Sequence, residues 1–358
     1  MFQSSNFKPA IGLSNPHIQT LLAKYLNRNE VLSTINEILE LPDGDFVELA
    51  WTETPQKNNT QPIIVLMHGL QGSKHSHYIK SMFKAIKQRG WIAVLIHFRG
   101  CGSKPNRLAH SYHSGYIDDI HYFSEQLELR YQHCKFAIMG FSLGGNVLTQ
   151  YLAKTPKHPY VCAAVICAPL HLASCSNKIN QGFSKNYQQY LLNSLKQSTG
   201  EKIKLDLIHH ISLAALNQIK TMRDFDHYVT APLNGFNSAE HYYQQSSGIN
   251  VINAISSPCL FIHAKDDPFL AHQYIVSSDN LPSNITFEIS AFGGHVGFLS
   301  NNAGQSNYLN DLSKASELNQ TSNRASKGFK RLISSFTPRF IPHYWLETRI
   351  PQFLQDYL

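Results

Sequence analysis

Five stretches of the chain are essentially apolar without alternation: Ile63–Met67, Trp91–Ile96, Lys135–Met139, Val161–Cys167 and Cys259–His263. The first four are separated by segments of helical length. Such runs predict strands buried on both faces of a largely parallel sheet, an α/β class with helices covering the sheet. Upstream, Ile38–Leu41 and Phe46–Trp51 flank the turn residues Pro42-Asp43-Gly44-Asp45 and predict a β-hairpin. A helix is predicted from about His77 to Arg89, ending at Gly90. After Pro169 the rhythm breaks, and roughly 90 residues pass before Cys259. Their clearest apolar periodicity, Tyr187–Leu195 and Ile203–Ile219, is helical. Residues 170–256 are therefore expected to form a helical lid or cap inserted in one domain spanning 1–358. A last strand is predicted at Ile285–Ile289. Residues 301–335 turn polar and rich in Asn, Ser and Lys, as in a long, partly disordered insertion. Near the end, Ile350, Phe353, Leu354 and Tyr357 share one helical face, with Pro351 expected at the first helical position and the face packed on the sheet.

Composition narrows this picture. With 358 residues and 42% hydrophobic content, the chain can bury a sizeable core without covalent staples. Met1–Ala10 lacks the charged start and apolar run of a secretory signal, and no run reaches about 18 apolar residues, so a cytoplasmic location is expected. The six cysteines contain no C-x-x-C pair, and three lie in strand-like apolar runs, which argues against disulfides and zinc. The net charge of +7 is spread along most of the chain; Arg324, Lys327, Lys330, Arg331 and Arg339 form its one cluster. A solvated basic surface is the expectation and peripheral membrane contact the alternative. No nucleic-acid module is present to support nucleic-acid binding.

The candidate chemistry centres on Gly140-Phe141-Ser142-Leu143-Gly144. A serine hydroxyl needs a base within hydrogen-bond reach, a group that orients the base, and donors for the developing oxyanion. This G-x-S-x-G follows a predicted buried strand and leads into the helix-like stretch Asn146–Ala153, the setting in which a nucleophile elbow lifts a serine hydroxyl above a sheet. Asp266 and Asp267 follow the strand ending at His263, and either carboxylate can orient a base; Asp267 is favoured, with Asp266 holding the turn. His295 follows the last predicted strand. The chain order Ser142, Asp267, His295 selects it among nineteen histidines as the general base. Oxyanion donors are expected from the backbone N–H groups of Leu143 and Leu70, the latter in His68-Gly69-Leu70-Gln71-Gly72, which otherwise reads as a flexible turn. That loop has no G-x-x-x-x-G-K-[ST] match and is not a phosphate loop. The His75/His77 and His209/His210 pairs lack a carboxylate or cysteine at ligand spacing and read as packing or surface residues rather than metal ligands.

Further motifs carry a family resemblance. They are Asn15-Pro16-His17-Ile18-Gln19-Thr20, His68-Gly69-Leu70, Phe98-Arg99-Gly100-Cys101 with Asn106 and Arg107, Tyr112-His113-Ser114-Gly115, Phe225-Asp226, Gly235-Phe236, Asp266-Asp267-Pro268, Gly293–Phe298 and Trp345-Leu346-Glu347. With the Ser142 elbow they resemble the YheT-like branch of the α/β hydrolases, related to the eukaryotic abhydrolase-domain lipid hydrolases. The resemblance implies hydrolysis of carboxylic esters, on short to medium acyl chains or lipid-like esters, with no cofactor. An acyltransferase with the same triad, a membrane-associated lipid hydrolase and a non-catalytic binding protein are the competing readings. The polar stretch from Asn301 departs from the compact family pattern.

Overall fold

Strands form where the apolar runs predict them. A computed structural model describes residues 1–26, 33–271, 281–301 and 342–358. Its central sheet contains β1 (Phe2–Ser4), β2 (Ile35–Glu40), β3 (Phe46–Trp51), β4 (Ile63–Met67), β5 (Ile92–Ile96), β6 (Phe136–Phe141), β7 (Tyr160–Ile166), β8 (Cys259–Ala264) and β9 (Ile285–Ser290). Their order is β1-β9-β8-β7-β6-β4-β5-β3-β2. The β2–β3 and β3–β5 pairings are antiparallel and the others parallel.

The absence of alternation has a direct cause: both faces of the sheet are covered. Ile63, Val65 and Met67 of β4 join a core with α3 (Asp118–Arg130) and α4 (Leu143–Lys154). Ile64 and Leu66 of the same strand join another with α2 (His77–Lys87) and the C-terminal helix Leu346–Gln355. The N-terminal helix α1 (Pro16–Leu26) starts where Asn15 Oδ1 accepts the backbone N–H groups of His17 and Ile18, with Pro16 in the first position, where a missing N–H costs nothing.

Between β7 and β8 lie α5 (Leu172–Ile179), α6 (Ser184–Lys204), α7 (Leu213–Gln218), α8 (Met222–Phe225), α9 (Ala231–Leu233) and α10 (Ala239–Ser246). A π-helical turn, Asp226–Thr230, joins α8 to α9. The C-terminal helix is α11, and β10 (Leu299–Ser300) pairs antiparallel with β11 (His343–Tyr344).

Three details differ from expectation. Ile203–Ile219 is not one helix: α6 ends at Lys204, Asp206 turns left-handed at φ 59°, and Ser212 caps a new helix by accepting the Ala215 N–H. Apolar spacing alone cannot reveal such a break. Pro351 is not the first residue of the last helix but lies inside it, buried; the helix already starts at Leu346. Proline there forfeits one internal hydrogen bond, while Ile350 and Leu354 on either side of it pack into the core. The hairpin's first strand begins at Ile35, earlier than predicted. Of the polar stretch 301–335, only Asn301 falls within the described residues, and the basic cluster from Arg324 to Arg339 lies outside them.

Candidate active site

The loops that follow β4, β6, β8 and β9 all leave the same edge of the sheet, because these strands are mutually parallel. That edge is where open α/β sheets hold their ligands. His68–Leu70, Ser142, Asp267 and His295 therefore converge from positions far apart in sequence.

Ser142 sits between β6 and α4 at φ 53° and ψ −124°, a backbone conformation that side chains rarely adopt. The turn is tight enough to exclude side chains at both flanking glycines. A Cβ at Gly140 would lie 2.5 Å from the Gly144 carbonyl oxygen, and one at Gly144 would collide with the His68 carbonyl oxygen. The strain is held by neighbours: Ser142 N–H donates to the Ile166 carbonyl at 2.8 Å.

His295 Nε2 lies 2.9 Å from Ser142 Oγ, and His295 Nδ1 lies 2.8 Å from Asp267 Oδ2. A carboxylate can only accept, so Nδ1 carries the proton and Nε2 of a neutral ring presents its lone pair to the serine. Asp267 has no side-chain exposure, and its other oxygen accepts the Phe269 N–H at 2.8 Å. The Phe269 ring stacks on the imidazole at 4.0 Å between centroids. Asp266 points elsewhere. Its Oδ1 accepts the Gly294 N–H at 3.0 Å and so holds the histidine loop, while burial raises its pKa.

Leu143 N–H opens α4, where the first amide groups have no partner within the helix. In the loop after β4, Gly69 N–H donates to Tyr78 Oη and Gln71 N–H to Tyr112 Oη, at 2.9 and 2.8 Å. The intervening Leu70 N–H is left unclaimed among the described residues. His68 shapes this loop rather than acting as a base. It receives the Phe98 N–H on Nε2 and donates from Nδ1 to the Gly69 carbonyl, and burial together with neighbouring His97 lowers its pKa to about 3.

Several supporting residues were not predicted as parts of the site. Thr20 Oγ1 accepts the His295 N–H at 2.9 Å and donates to the Pro16 carbonyl. Gln19, fully buried, uses both ends of its amide to hold Leu13 and Leu299. Within the Asn15–Thr20 motif it is Thr20 that braces the histidine loop, from 275 positions away. Cys167 backs the couple beneath: its Sγ, an Asp267 oxygen and a His295 nitrogen all lie within 4.8 Å of one another. Arg99 is buried and binds Asp119 through Nε and Nη2, Asp43 and Asp45 through Nη1, and Tyr116 Oη, tying the β2–β3 turn to α3. Burial is the largest single influence and opposes its charge, but the bonds and charge attraction to Asp119 and Asp43 together outweigh it and raise its pKa. Of the histidine pairs, His209 has the Asp206 carboxylate 3.4 Å away after all, as an exposed contact.

Above Ser142 a cavity of about 530 Å³ runs between the sheet edge and helices α5, α6, α8, α9 and α10. Its walls are mainly apolar, including Leu172, Ile179, Leu195, Phe225, Val229 and Leu233. Two ionisable groups border it, Lys202 buried and Asp226 partly so. Lys202 Nζ donates to the Ala109 and His110 carbonyls and to Ser111 Oγ, and burial lowers its pKa to about 8. Asp226, in the π-helical turn, accepts from Tyr243 Oη and Thr230 Oγ1, and burial raises its pKa to about 6.

Residues 62–302 match the family model described as the alpha/beta hydrolase fold. The chain belongs to the α/β-hydrolase fold family, and membership carries a hydrolase activity of the esterase and lipase type. Over 357 residues it is 37% identical to YheT of Escherichia coli (strain K12), a protein provisionally named as an esterase, covering 99% of this chain and 94% of that one. It is 24% identical over 303 residues to the phospholipase ABHD3 of Mus musculus, covering 83% and 74% of the two chains. It is 27% identical over 266 residues to a monoacylglycerol lipase of Saccharomyces cerevisiae, covering 71% and 59%.

Proposed function

We propose that the protein hydrolyses carboxylic esters through an acyl-enzyme on Ser142, with His295 as general base and Asp267 as its orienting acid. The observation that carries this reading is the unbroken hydrogen-bond chain from Ser142 Oγ through the imidazole to Asp267, opening onto an apolar cavity. In the first step His295 Nε2 takes the Ser142 proton as Oγ attacks the ester carbonyl. The Leu70 and Leu143 N–H groups receive the developing oxyanion, and His295 returns the proton to the departing alcohol. In the second step His295 takes a proton from water as its oxygen attacks the acyl carbonyl; the bond from the acyl carbon to Ser142 Oγ then breaks, His295 returns the proton to Oγ, and the acid is released. Asp267 holds the imidazole tautomer throughout and stays ionised.

Residues 170–256 act as a cap whose inner surface receives the acyl chain. A cavity of about 530 Å³ lies within the range, roughly 300–1,000 Å³, of pockets that enclose small organic ligands. The relatives named as a phospholipase and a monoacylglycerol lipase agree with a medium-chain or lipid-like ester. A series of aryl esters of increasing acyl length tests the reading: turnover is expected with wild type and to be lost in Ser142→Ala. Equal turnover by both proteins sinks the proposal. Adding an alcohol and analysing products separates hydrolysis from acyl transfer.

A further inference from the structure

We infer that the mouth of the cavity is a docking surface for an anionic lipid interface, from which ester substrates enter directly. This rests on the ester-hydrolase reading of the cavity but uses residues outside the chemistry. On α1, Ile18, Leu21 and Tyr25 are spaced three and four apart, share a face, and are 43%, 38% and 51% exposed. On the rim of α6, Phe183 and Tyr190 are 52% and 61% exposed. The two helices are joined side to side. His17 Nδ1 lies 3.2 Å from Tyr187 Oη, its ring packs on Phe183 at 4.5 Å, and Lys24 Nζ sits 4.6 Å from the centre of the Tyr190 ring. The exposed side chains therefore form one patch. Leu21, Lys24, Phe183 and Tyr190 also line the cavity that holds Ser142, so the patch is the rim of its opening.

The charge around this rim has one sign. α1 contains no Asp or Glu and carries Lys24; the stretch from Leu172 to Gly200 contains none either and carries Lys178, Lys185 and Lys196. Elsewhere the chain has 24 acidic residues, so their absence from both rim segments is a local feature. Exposed aliphatic and aromatic side chains flanked by lysines are the chemistry that enters the headgroup region of a negatively charged leaflet, the apolar groups inserting and the cations meeting lipid phosphates. A protein seated here would plug the opening. A lipid surface instead lets an acyl chain slide from the interface into an apolar cavity without crossing water.

The test is co-sedimentation of the full chain with vesicles of phosphatidylglycerol or of phosphatidylcholine, at low and high salt, for wild type and for Ile18→Asp/Lys185→Glu. Neither substituted residue lines the cavity. Wild type is expected to bind phosphatidylglycerol more tightly than phosphatidylcholine and to lose that preference at high salt. The variant is expected to bind phosphatidylglycerol at least about tenfold more weakly, with unchanged melting temperature and unchanged turnover of a soluble short-chain aryl ester. Absence of wild-type binding, or equal binding by the variant, overturns the docking surface. So does a wild-type dimer that the variant converts to monomer, because a second copy then covers the patch. Vesicle binding by a protein that cleaves no soluble ester overturns the hydrolase reading and leaves the docking surface standing.

Discussion

Asp266 and Asp267 are adjacent carboxylates with separate tasks, set by which neighbour each oxygen meets. Asp267 Oδ2 meets the imidazole, and Asp266 Oδ1 meets the backbone of Gly294. Asp267→Asn should keep the fold but favour the wrong imidazole tautomer, lowering kcat by roughly 10⁴, whereas Asp266→Asn should cost less than about tenfold because only a loop contact weakens. Aryl-ester kinetics on the two variants check this, and comparable losses would contradict the assignment. Thr20 acts one step further out. Thr20→Val leaves the His295 N–H without its acceptor and should lower kcat about five- to tenfold with little change in KM, while Thr20→Ser should restore it. Ser142, Asp267 and His295 were legible in the sequence because chemistry restricts their residue types and the fold restricts their order. Thr20 stood only within the Asn15–Thr20 family motif, and its role is not legible until the loop it supports, 275 positions away, is in place.

At the scale of elements, the buried strands were read nearly to the residue because a strand covered on both faces loses all polar alternation. β4, β5 and β6 are buried at every position. Helices of the segment between β7 and β8 were read less well. The left-handed turn at Asp206 and the Ser212 cap break a stretch whose apolar spacing looks continuous. What ties elements together was the least legible, and Arg99 shows why: its partners lie on a hairpin turn and a helix. Arg99→Ala strands three carboxylates, two of them buried, and should destabilise the protein by about 3–5 kcal/mol. Arg99→Lys should recover only part of this, because a lysine cannot reproduce the forked contact with Asp119. Urea unfolding monitored by tryptophan fluorescence measures both.

For the whole molecule, the parallel core could be read from local runs, but the pairing of β1 with β9 joins segments far apart in sequence, Phe2 opposite Phe287. No local pattern encodes such a pairing. No helix among the described residues is long and apolar enough to cross a membrane. Folding is linked to pH through Asp226, whose pKa rises from the ordinary 3.8 to about 6 on burial. The folded state thus holds this proton more tightly than the unfolded chain. Its contribution to stability is full below about pH 3.8 and is lost as pH rises through about 6. Asp226→Asn, which needs no proton, should therefore be more stable than wild type at pH 7, with the gap closing toward pH 4. Paired urea midpoints at the two pH values check the sign.

Mass spectrometry of the protein quenched during turnover of an aryl ester reports whether Ser142 carries the acyl group. One added acyl mass is expected, mapped to the peptide containing Ser142, absent from Ser142→Ala and greatly reduced in His295→Gln. Turnover with no acyl adduct in wild type under conditions where deacylation limits the rate, or an adduct that persists in Ser142→Ala, would contradict it.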